Sequence, residues 1–279
     1  MPELPEVETV MRGMQIALQG RVIQTAIIRR YDLRWRISAD FSQRISGRKV
    51  IGFRRRGKYI LMRLAGDLSV ILHLGMSGRI VLDSDKTPVP HEHVVLVTDD
   101  GKRCAFVDPR RFGMIDVLPT PMEDTYRLLA GMGPEPLDAD FSSSTLENGL
   151  ARKNASIKTV LLDQKIVAGL GNIYVCEALF RAGIHPETPA GTLKKKQIRL
   201  LHGAIQSVLT EAIAAGGSSL KDYVRPEGGL GYFQHAWKVY ARKGQACPDC
   251  PGLPECEGVQ HMTQAGRSTF FCPLHQGKR

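Results

Sequence analysis

The chain has 279 residues, 43% of them hydrophobic and 24% charged, which is typical of a soluble globular protein whose core needs no disulfide support. Its net charge of +10 and isoelectric point near 9.4 favour a polyanionic partner, nucleic acid before an anionic membrane surface, although a general excess of basic residues gives the same totals. No apolar stretch is long enough to span a membrane, and the acidic N-terminus is unlike a signal peptide, so we expect a protein that is not exported.

The first predicted element is an amphipathic helix close to the N-terminus. Its hydrophobic residues recur at helical spacing: Val7, Val10, Met11, Met14 and Leu18. Pro5, Glu6 and Glu8 suit the first turn, because proline fits there and carboxylates offset the positive end of the helix dipole. That account leaves out Pro2, which becomes the chain terminus if Met1 is removed.

The pattern changes to strands from residue 21 to about residue 118. Short runs rich in valine, isoleucine and leucine, such as KYILMRL and HVVLVT, are separated by turn-forming residues and predict an antiparallel sandwich or barrel. Proline, glycine and serine then mark a boundary, and strongly helical segments follow. We therefore predict a helix-capped β domain at 1–120, a linker at 121–135, a helical domain at 136–235 and a small tail at 236–279.

Four of the six cysteines crowd into the tail. Cys247 and Cys250 have CxxC spacing, and Cys272 and His275 have CxxH spacing. Two such pairs around a β-prone hairpin match a structural zinc site, which would hold together a segment too small to fold alone. The interval between the pairs is longer than usual, so Cys256 is a competing ligand, and a disulfide or a lost site is the alternative.

Several basic segments of the β domain suit DNA, and each has an ordinary alternative. Lys58, after three arginines and a glycine, suits a reactive amine in a tight turn or a basic strand edge. Met76, between the glycines of HLGMSGR, suits a wedge between bases or a side chain that folds back onto the core. In DPRRFG, Arg110 and Phe112 suit contact with an unpaired base or a surface cation–π pair. His91, in PHEH, suits a phosphate contact or half of a metal site.

In the helical domain, two helical runs meet at AGLGN, where Gly169 and Gly171 predict a tight turn and Asn172 the N-cap of the second helix. Amides at that helix start, with Lys158 of the neighbouring helix, would form a phosphate-binding notch, although a plain helical hairpin has the same pattern. The glycine-rich segment SSLKDYVRPEGGLGY suits a loop over a ligand or a linker. Arg267, after a glycine in the tail, suits phosphate contact or simple exposure.

The order of these motifs resembles that of formamidopyrimidine-DNA glycosylases, bacterial bifunctional enzymes of base-excision repair. The resemblance covers essentially the whole chain and rests on PELPEVET, RRRGKY, HLGMSG, DPRRFG, GLGNIY and GRSTFFC. It implies an α+β fold: an N-terminal helix plus antiparallel β-sandwich domain, a helical domain with a helix–two-turn–helix, and a C-terminal zinc-finger β-hairpin. It also implies one structural Zn²⁺, double-stranded DNA with oxidised bases or abasic sites as the partner, no membrane partner, a monomer, and a cytoplasmic, nucleoid-associated location.

The resemblance also assigns roles to residues at matching positions. Pro2, freed of Met1, would attack C1′ of the damaged nucleotide, with acid–base help from Glu3. Lys58 would serve elimination and phosphate contact, and Arg267 the second elimination. The gap left by an everted base would be filled by Met76, Arg110 and Phe112. The other DNA-contacting positions are His73, His91, Lys153, Lys158 and Asn172, and the segment from about Ser218 to Tyr232 would close over the lesion.

The tail departs from the family pattern, because His275 stands where the family has a fourth cysteine. We take Cys247, Cys250, Cys272 and His275 as the metal ligands, with Cys256 as the alternative.

The resulting hypothesis is a DNA glycosylase and abasic-site lyase that excises 8-oxoguanine and formamidopyrimidines through an N-terminal proline Schiff base and nicks the strand by β,δ-elimination. One alternative is an endonuclease VIII-like glycosylase for oxidised pyrimidines, although that branch typically begins Pro-Glu-Gly-Pro-Glu and this chain has Leu4. The other is a non-catalytic DNA-binding homologue, against which the intact Pro2, Glu3 and Lys58 argue.

Overall fold

The computed structural model describes residues 1–83, 87–218 and 231–277. The chain divides into two compact units, each made of two segments: a first unit of Met1–Gly131 with Ile213–Gln234, and a second unit of Met132–Ala212 with His235–Arg279. The division of the chain into segments 1–120, 121–135, 136–235 and 236–279 stays a prediction. Every helix in the described ranges is too short or too polar to cross a membrane.

The first unit begins with a helix and consists mainly of antiparallel strands. Its elements are α1 (Leu4–Leu18), β1 (Val22–Ile28), α2 (Phe41–Ile45), β2 (Arg48–Arg56), β3 (Tyr59–Leu64), β4 (Leu68–His73), β5 (Arg79–Asp83), β6 (Glu92–Thr98), β7 (Arg103–Val107) and β8 (Met114–Pro119). The strands are ordered β5-β7-β6-β1-β2-β3-β4-β8. Because β1 and β2 share only the pairs Val22–Lys49 and Ile23–Arg48, the sheet consists of two halves joined by a short seam.

The two halves enclose one hydrophobic core, which confirms the predicted antiparallel sandwich. Alternate residues of each strand point inward, as the twofold period of a strand requires. The halves contribute Ile60, Met62, Val70 and Leu72 on one side and Val94, Leu96, Cys104 and Phe106 on the other. Helix α1 adds Val7, Val10, Met11, Met14 and Leu18 to the same core, the residues whose helical spacing predicted it.

Strand register brings three connections to one end of the sandwich. Tyr59 pairs with His73, and His73 pairs with Met114, so the β2–β3 turn, the β4–β5 loop and the β7–β8 loop are neighbours. Arg79 pairs with Val107, which closes the same end from the other half. These connections carry most of the predicted DNA-contacting residues of the first unit.

The second unit is helical and ends in a hairpin. Its elements are α3 (Ser143–Leu150), α4 (Ile157–Leu161), α5 (Asn172–Arg181), most of α6 (Lys195–Ala214), β9 (Gln260–Gln264) and β10 (Arg267–Phe271). Side chains of Ser142 and Ser156 cap α3 and α4. A cluster that contains Cys176 and Phe180 of α5 together with three tail cysteines packs the tail against this helix.

Candidate active site and nucleic-acid interface

The N-terminus is packed into the first unit. Pro2 and Glu3 are both buried, and Glu3 is the N-cap of α1. The Glu3 side chain accepts the backbone N–H of Glu6, while the N–H of Glu3 donates to Glu6 Oε2 at 2.8 Å, so the two residues form a reciprocal capping box. The other oxygen, Glu6 Oε1, accepts the backbone N–H of Ser218 at 2.9 Å. The interpretation of Glu6 as a helix-dipole carboxylate missed this contact, which joins residues far apart in the chain.

Lys58 lies in the turn between β2 and β3 and is 6% exposed. The preceding Gly57 has a φ of +54°, which fits the predicted tight turn. Arg55 ties this turn to α1, because its Nε donates to Glu8 Oε2 at 2.8 Å and its Nη1 donates to the Gly57 carbonyl at 3.1 Å. One guanidinium therefore links the N-terminal helix to the turn that presents the lysine.

His73 ends β4 and lies opposite Tyr59, with ring centroids 4.7 Å apart. Burial, and then the positive charges of Lys58 and Arg34, lower the pKa of His73 to about 4, so its ring is neutral at pH 7. Its Nδ1 accepts the backbone N–H of Gly75 at 3.0 Å, which leaves the proton on Nε2. The ring therefore offers an N–H donor rather than a positive charge.

Met76, Arg110 and Phe112, hereafter the wedge residues, lie on the neighbouring β4–β5 and β7–β8 loops. Met76 is 38% exposed and Phe112 is 44% exposed, so neither folds back into the core. The Arg110 guanidinium lies over the Phe112 ring, 5.0 Å from its centroid. A Cβ on Gly75 would lie 2.5 Å from the backbone nitrogen of Gly113, so only glycine allows the loops to approach this closely.

Two features beside these loops were not indicated by the sequence. Asp108 is fully buried between the loops. The motif DPRRFG indicates only a turn fixed by its proline and gives no sign of this burial. Trp35 contacts the guanidinium groups of Arg34 and Arg127, which lie 5.1 and 4.6 Å from its ring. Among the described residues neither arginine forms an ion pair with a carboxylate. His91, predicted as a phosphate contact, is exposed in the connection immediately before β6.

In the second unit, Lys153 and Lys158 differ sharply. Lys153 is exposed between α3 and α4, as a phosphate contact requires. Lys158 is completely buried, and its Nζ donates to the carbonyl of Ser268 at 3.0 Å and to Thr269 Oγ1 at 2.6 Å. The prediction that Lys158 forms part of an accessible phosphate notch is therefore corrected: its charge is satisfied inside the unit, where it fastens the hairpin to α4.

Asn172 is the first residue of α5, and the N-cap is Gly171, one residue earlier than predicted. The Asn172 side chain does not cap the helix; its Nδ2 donates to the Ser268 carbonyl at 2.8 Å. Ser268 follows Arg267, which is exposed and begins β10. The segment next to Arg267 is thus held from two helices, α4 and α5.

The tail brings together Cys247, Cys250, Cys256 and Cys272, whose sulfur atoms all lie within 4.8 Å of one another. Cys272 Sγ is 3.5 Å from the sulfurs of both Cys250 and Cys256. The choice of His275 over Cys256 is corrected here. The His275 Nε2 lies 2.9 Å from the carbonyl of Phe180, and its ring lies tilted against the Phe180 ring with centroids 4.6 Å apart.

Four sulfurs at this spacing fit one tetrahedral ion, since zinc–sulfur bonds are about 2.3 Å long. Backbone amides of Gly258 and His275 lie 3.4 Å from the sulfurs of Cys256 and Cys272, an arrangement that stabilises thiolates. The donor set therefore fits a structural metal ion.

The loop predicted to close over the lesion, from about Ser218 to Tyr232, lies outside the described residues except at its two ends. There, Ser218 and Tyr232 form an antiparallel bridge.

Comparison with known proteins accounts for nearly the whole chain. Residues 1–115 match the family model of the formamidopyrimidine-DNA glycosylase N-terminal domain, and residues 132–224 match its H2TH domain. The formamidopyrimidine-DNA glycosylase of Acidiphilium cryptum is 58% identical over 99% of this chain and 100% of its own length. The protein of the same name from Gluconobacter oxydans is 52% identical over 99% of this chain and 100% of its own length.

Solved structures agree. The MutM (Fpg) protein of Thermus thermophilus superposes with a TM-score of 0.88 at 38% identity, over 100% of both chains. Lactococcus lactis Fpg, solved in a complex with DNA containing an abasic site, has a TM-score of 0.90 at 34% identity, over 99% of this chain and 100% of its own. By sequence, by domain content and by fold, this chain belongs to the formamidopyrimidine-DNA glycosylase family.

Proposed function

We infer that this protein is a DNA glycosylase of base-excision repair that removes oxidised purines, and we propose that it also cleaves the strand at the resulting abasic site. The observation that carries the proposal is the N-terminus. Pro2 is buried beside Glu3, the N-cap of α1, and Arg55 ties this helix to the turn of Lys58. An amine, a carboxyl group and a lysine are the groups that a Schiff-base lyase needs.

The choice of purine lesions is supported by the relatives. Relatives that are 58% and 52% identical to this chain carry the name formamidopyrimidine-DNA glycosylase, and wild-type Lactococcus lactis Fpg was solved with DNA containing N7-benzyl-Fapy-dG. Leu4, in the PELPEVET string, agrees with the purine-directed branch. The pyrimidine-directed and non-catalytic alternatives are not favoured.

We propose that Pro2 is the nucleophile once Met1 is removed. With Met1 attached, the Pro2 nitrogen is an amide whose lone pair is delocalised. As a secondary amine, it attacks C1′ while the bond from C1′ to the base breaks. The attacking nitrogen gives up its proton, and the departing base takes up one. Opening of the sugar ring transfers a proton to O4′, for which Glu3 is the proposed donor, and yields a cationic iminium.

The iminium drives strand cleavage. It withdraws electrons from the C2′–H bond, so a base removes that proton while the 3′ C–O bond breaks and the phosphate leaves with the electron pair. Repetition at the 5′ side gives the second elimination. We propose Lys58 for the proton transfers of the first elimination. We propose that Arg267, whose guanidinium stays protonated, takes part in the second through contact with the phosphate.

DNA contact is proposed for exposed and polar groups of both units. The wedge residues Met76, Arg110 and Phe112 would fill the gap left by the everted base, with Arg110 facing the opposite cytosine. Phosphate contacts are proposed for His73, His91, Lys153, Asn172 and Arg267. Lys158 supports these contacts from inside the second unit.

We propose that Cys247, Cys250, Cys256 and Cys272 hold one zinc ion. A closed four-sulfur site takes no part in the reaction; the ion would cross-link the tail so that the hairpin keeps Arg267 in place. A chromosomal substrate leads us to propose a cytoplasmic, nucleoid-associated location.

Borohydride trapping tests the proposal directly. Protein shown by mass spectrometry to lack Met1 should form a covalent adduct with an 8-oxoguanine:cytosine duplex and less with a thymine glycol duplex. Glu3→Gln should lose base excision, and protein that keeps Met1 should form no adduct. Full activity with Met1 attached would refute the nucleophile, and a preference for thymine glycol would refute the purine assignment.

A further inference from the structure

One buried carboxylate joins the two loops that carry the wedge residues. Asp108 is 0% exposed. Its Oδ1 accepts the hydroxyl of Ser77, which lies in the β4–β5 loop, at 2.6 Å. Its Oδ2 accepts the N–H of Gly113, in the same β7–β8 loop as Asp108, at 2.8 Å. The Ser77 oxygen in turn accepts the N–H of Arg110 at 3.2 Å. Each wedge residue is therefore next in sequence to a residue of this hydrogen-bonded group, or belongs to it.

The backbone of Asp108 extends the same group to a third connection. Its N–H donates to the carbonyl of His91 at 3.1 Å, and its carbonyl lies 2.8 Å from His93 Nε2. His91 and Arg111 have φ values of +65° and +58°, a region that residues other than glycine rarely adopt. Such backbone conformations persist only where surrounding contacts impose them. Asp108 contacts both residues, since its carbonyl also accepts the N–H of Arg111 at 3.3 Å.

We propose that Ser77 and Asp108, the loop clasp, set the spacing between Met76 and the Arg110–Phe112 pair and thereby the selectivity for the base opposite the lesion. Neither member of the clasp is exposed, so both are positioning residues that act through the wedge residues. A charge-assisted hydrogen bond in a buried site is short and directional, so it restricts how far the two loops can shift relative to each other. The inference rests on the proposed function, because it assigns Arg110 to the opposite base.

If the loop clasp only stabilised the fold, its removal would also affect the protein, so the test needs a matched control. The chain offers one. Ser69 lies at the other end of β4 and is 0% exposed; its hydroxyl donates to Glu123 Oε1 at 2.6 Å. Ser77→Ala and Ser69→Ala therefore each delete one buried serine–carboxylate bond of equal length in the same unit. Only the Ser77 bond joins the two loops that carry the wedge residues.

The first test measures single-turnover excision of 8-oxoguanine opposite cytosine and opposite adenine. Both variants should lower the thermal midpoint to a similar degree. Ser77→Ala should change the cytosine-to-adenine rate ratio by about threefold to tenfold, the factor that loss of one hydrogen bond corresponds to, and Ser69→Ala should leave the ratio at the wild-type value. In an Arg110→Ala background, Ser77→Ala should have no further effect on the ratio.

The second test does not require catalysis. A duplex with a stable abasic-site analogue opposite 2-aminopurine reports directly how the wedge residues contact the opposite base. Ser77→Ala and the near-isosteric Asp108→Asn should both change the fluorescence of the bound duplex, and Ser69→Ala should not. Equal fluorescence and rate ratios for Ser77→Ala and wild type, or equal shifts for Ser77→Ala and Ser69→Ala, would overturn the clasp. Failure of wild type to excise 8-oxoguanine would instead overturn the proposed function and leave the fluorescence test to decide the clasp.

Discussion

Buried charged residues fasten separate chain segments to one another in both units. Glu177 of α5 is 0% exposed, and its two oxygens accept the backbone N–H groups of Lys238, Val239 and Tyr240 at 2.8 to 3.0 Å. Glu123 accepts hydrogen bonds from Arg54, Arg63 and Ser69. Because a buried charge is costly unless it is hydrogen-bonded, each of these groups holds its partners in one arrangement.

At the residue scale, His73 makes stability depend on pH. Its folded pKa of about 4 lies below the ordinary value of 6.5, so the neutral ring is favoured in the folded state. This contribution to the free energy of unfolding is therefore complete above about pH 6.5 and is lost as the pH falls toward 4. We expect the unfolding midpoint of wild type to fall more steeply over that range than that of His73→Gln.

Thermal unfolding at several pH values checks this expectation, with the exposed His91→Gln as the control. Parallel midpoint curves for wild type and His73→Gln would show that His73 does not titrate as the structure indicates.

At the element scale, the C-terminal hairpin depends on a two-residue turn and on the cysteine cluster. Ala265 and Gly266 have φ values of +46° and +70°, which suits the tight turns that match the twist of paired strands. The turn makes Arg267 the first residue of β10, paired with Gln264. The cysteine cluster brings together the segments on either side of the hairpin, because Cys247, Cys250 and Cys256 precede it and Cys272 follows it.

The cluster predicts which substitution removes the metal. We expect purified wild type to contain about one zinc per chain, Cys256→Ser to lose most of it, and His275→Ala to keep it, because a tetrahedral structural site uses four ligands and the histidine lies outside the cluster. Elemental analysis of the purified proteins measures this. Retention of zinc by Cys256→Ser together with its loss from His275→Ala would restore the first choice of ligand.

At the scale of the whole molecule, the net charge of +10 comes from two kinds of basic residue. Some are paired with carboxylates, and others remain available for contact with DNA. Many arginines are neutralised by carboxylates, such as Arg103 by Glu92 and Arg181 by Glu211. Others remain exposed beside aromatic rings or on loops, and only these can displace counterions from DNA. Overall charge thus indicates the class of partner, and burial decides which cations contact it.

Lys153 and Lys158 provide a test of this distinction. Lys153→Met should reduce the slope of log binding constant against log salt by about 0.9, the value expected for one lost phosphate contact. Lys158→Met should leave that slope unchanged and instead lower the free energy of unfolding by about 1–3 kcal/mol, because Thr269 Oγ1 and the Ser268 carbonyl lose a donor. Salt titrations of DNA binding and denaturant unfolding measure the two effects. An equal loss of slope in both variants would show that Lys158 contacts a DNA phosphate after all.

Local pattern was sufficient wherever a feature depends on neighbours in sequence. Helix α1, the strand runs and the glycine turn before Lys58 follow from residue spacing and turn chemistry, and family membership follows from the order of the motifs. Local pattern left open whether Met76 is exposed or folds back onto the core, and the structure shows it exposed. The placement of Asn172 differed by one residue, because a cap depends on backbone geometry that the glycine before it adopts equally well.

The sequence by itself determined the fold class, the family and the kind of partner, since these depend on composition, period and motif order. Tertiary structure alone decided that Lys158 is buried, that Cys256 replaces His275 in the cysteine cluster, and that Asp108 joins the wedge loops. Each of these depends on which atoms meet across long separations in the chain. Burial and hydrogen bonding in the folded chain decide those contacts, and the type of residue at one position does not predict them.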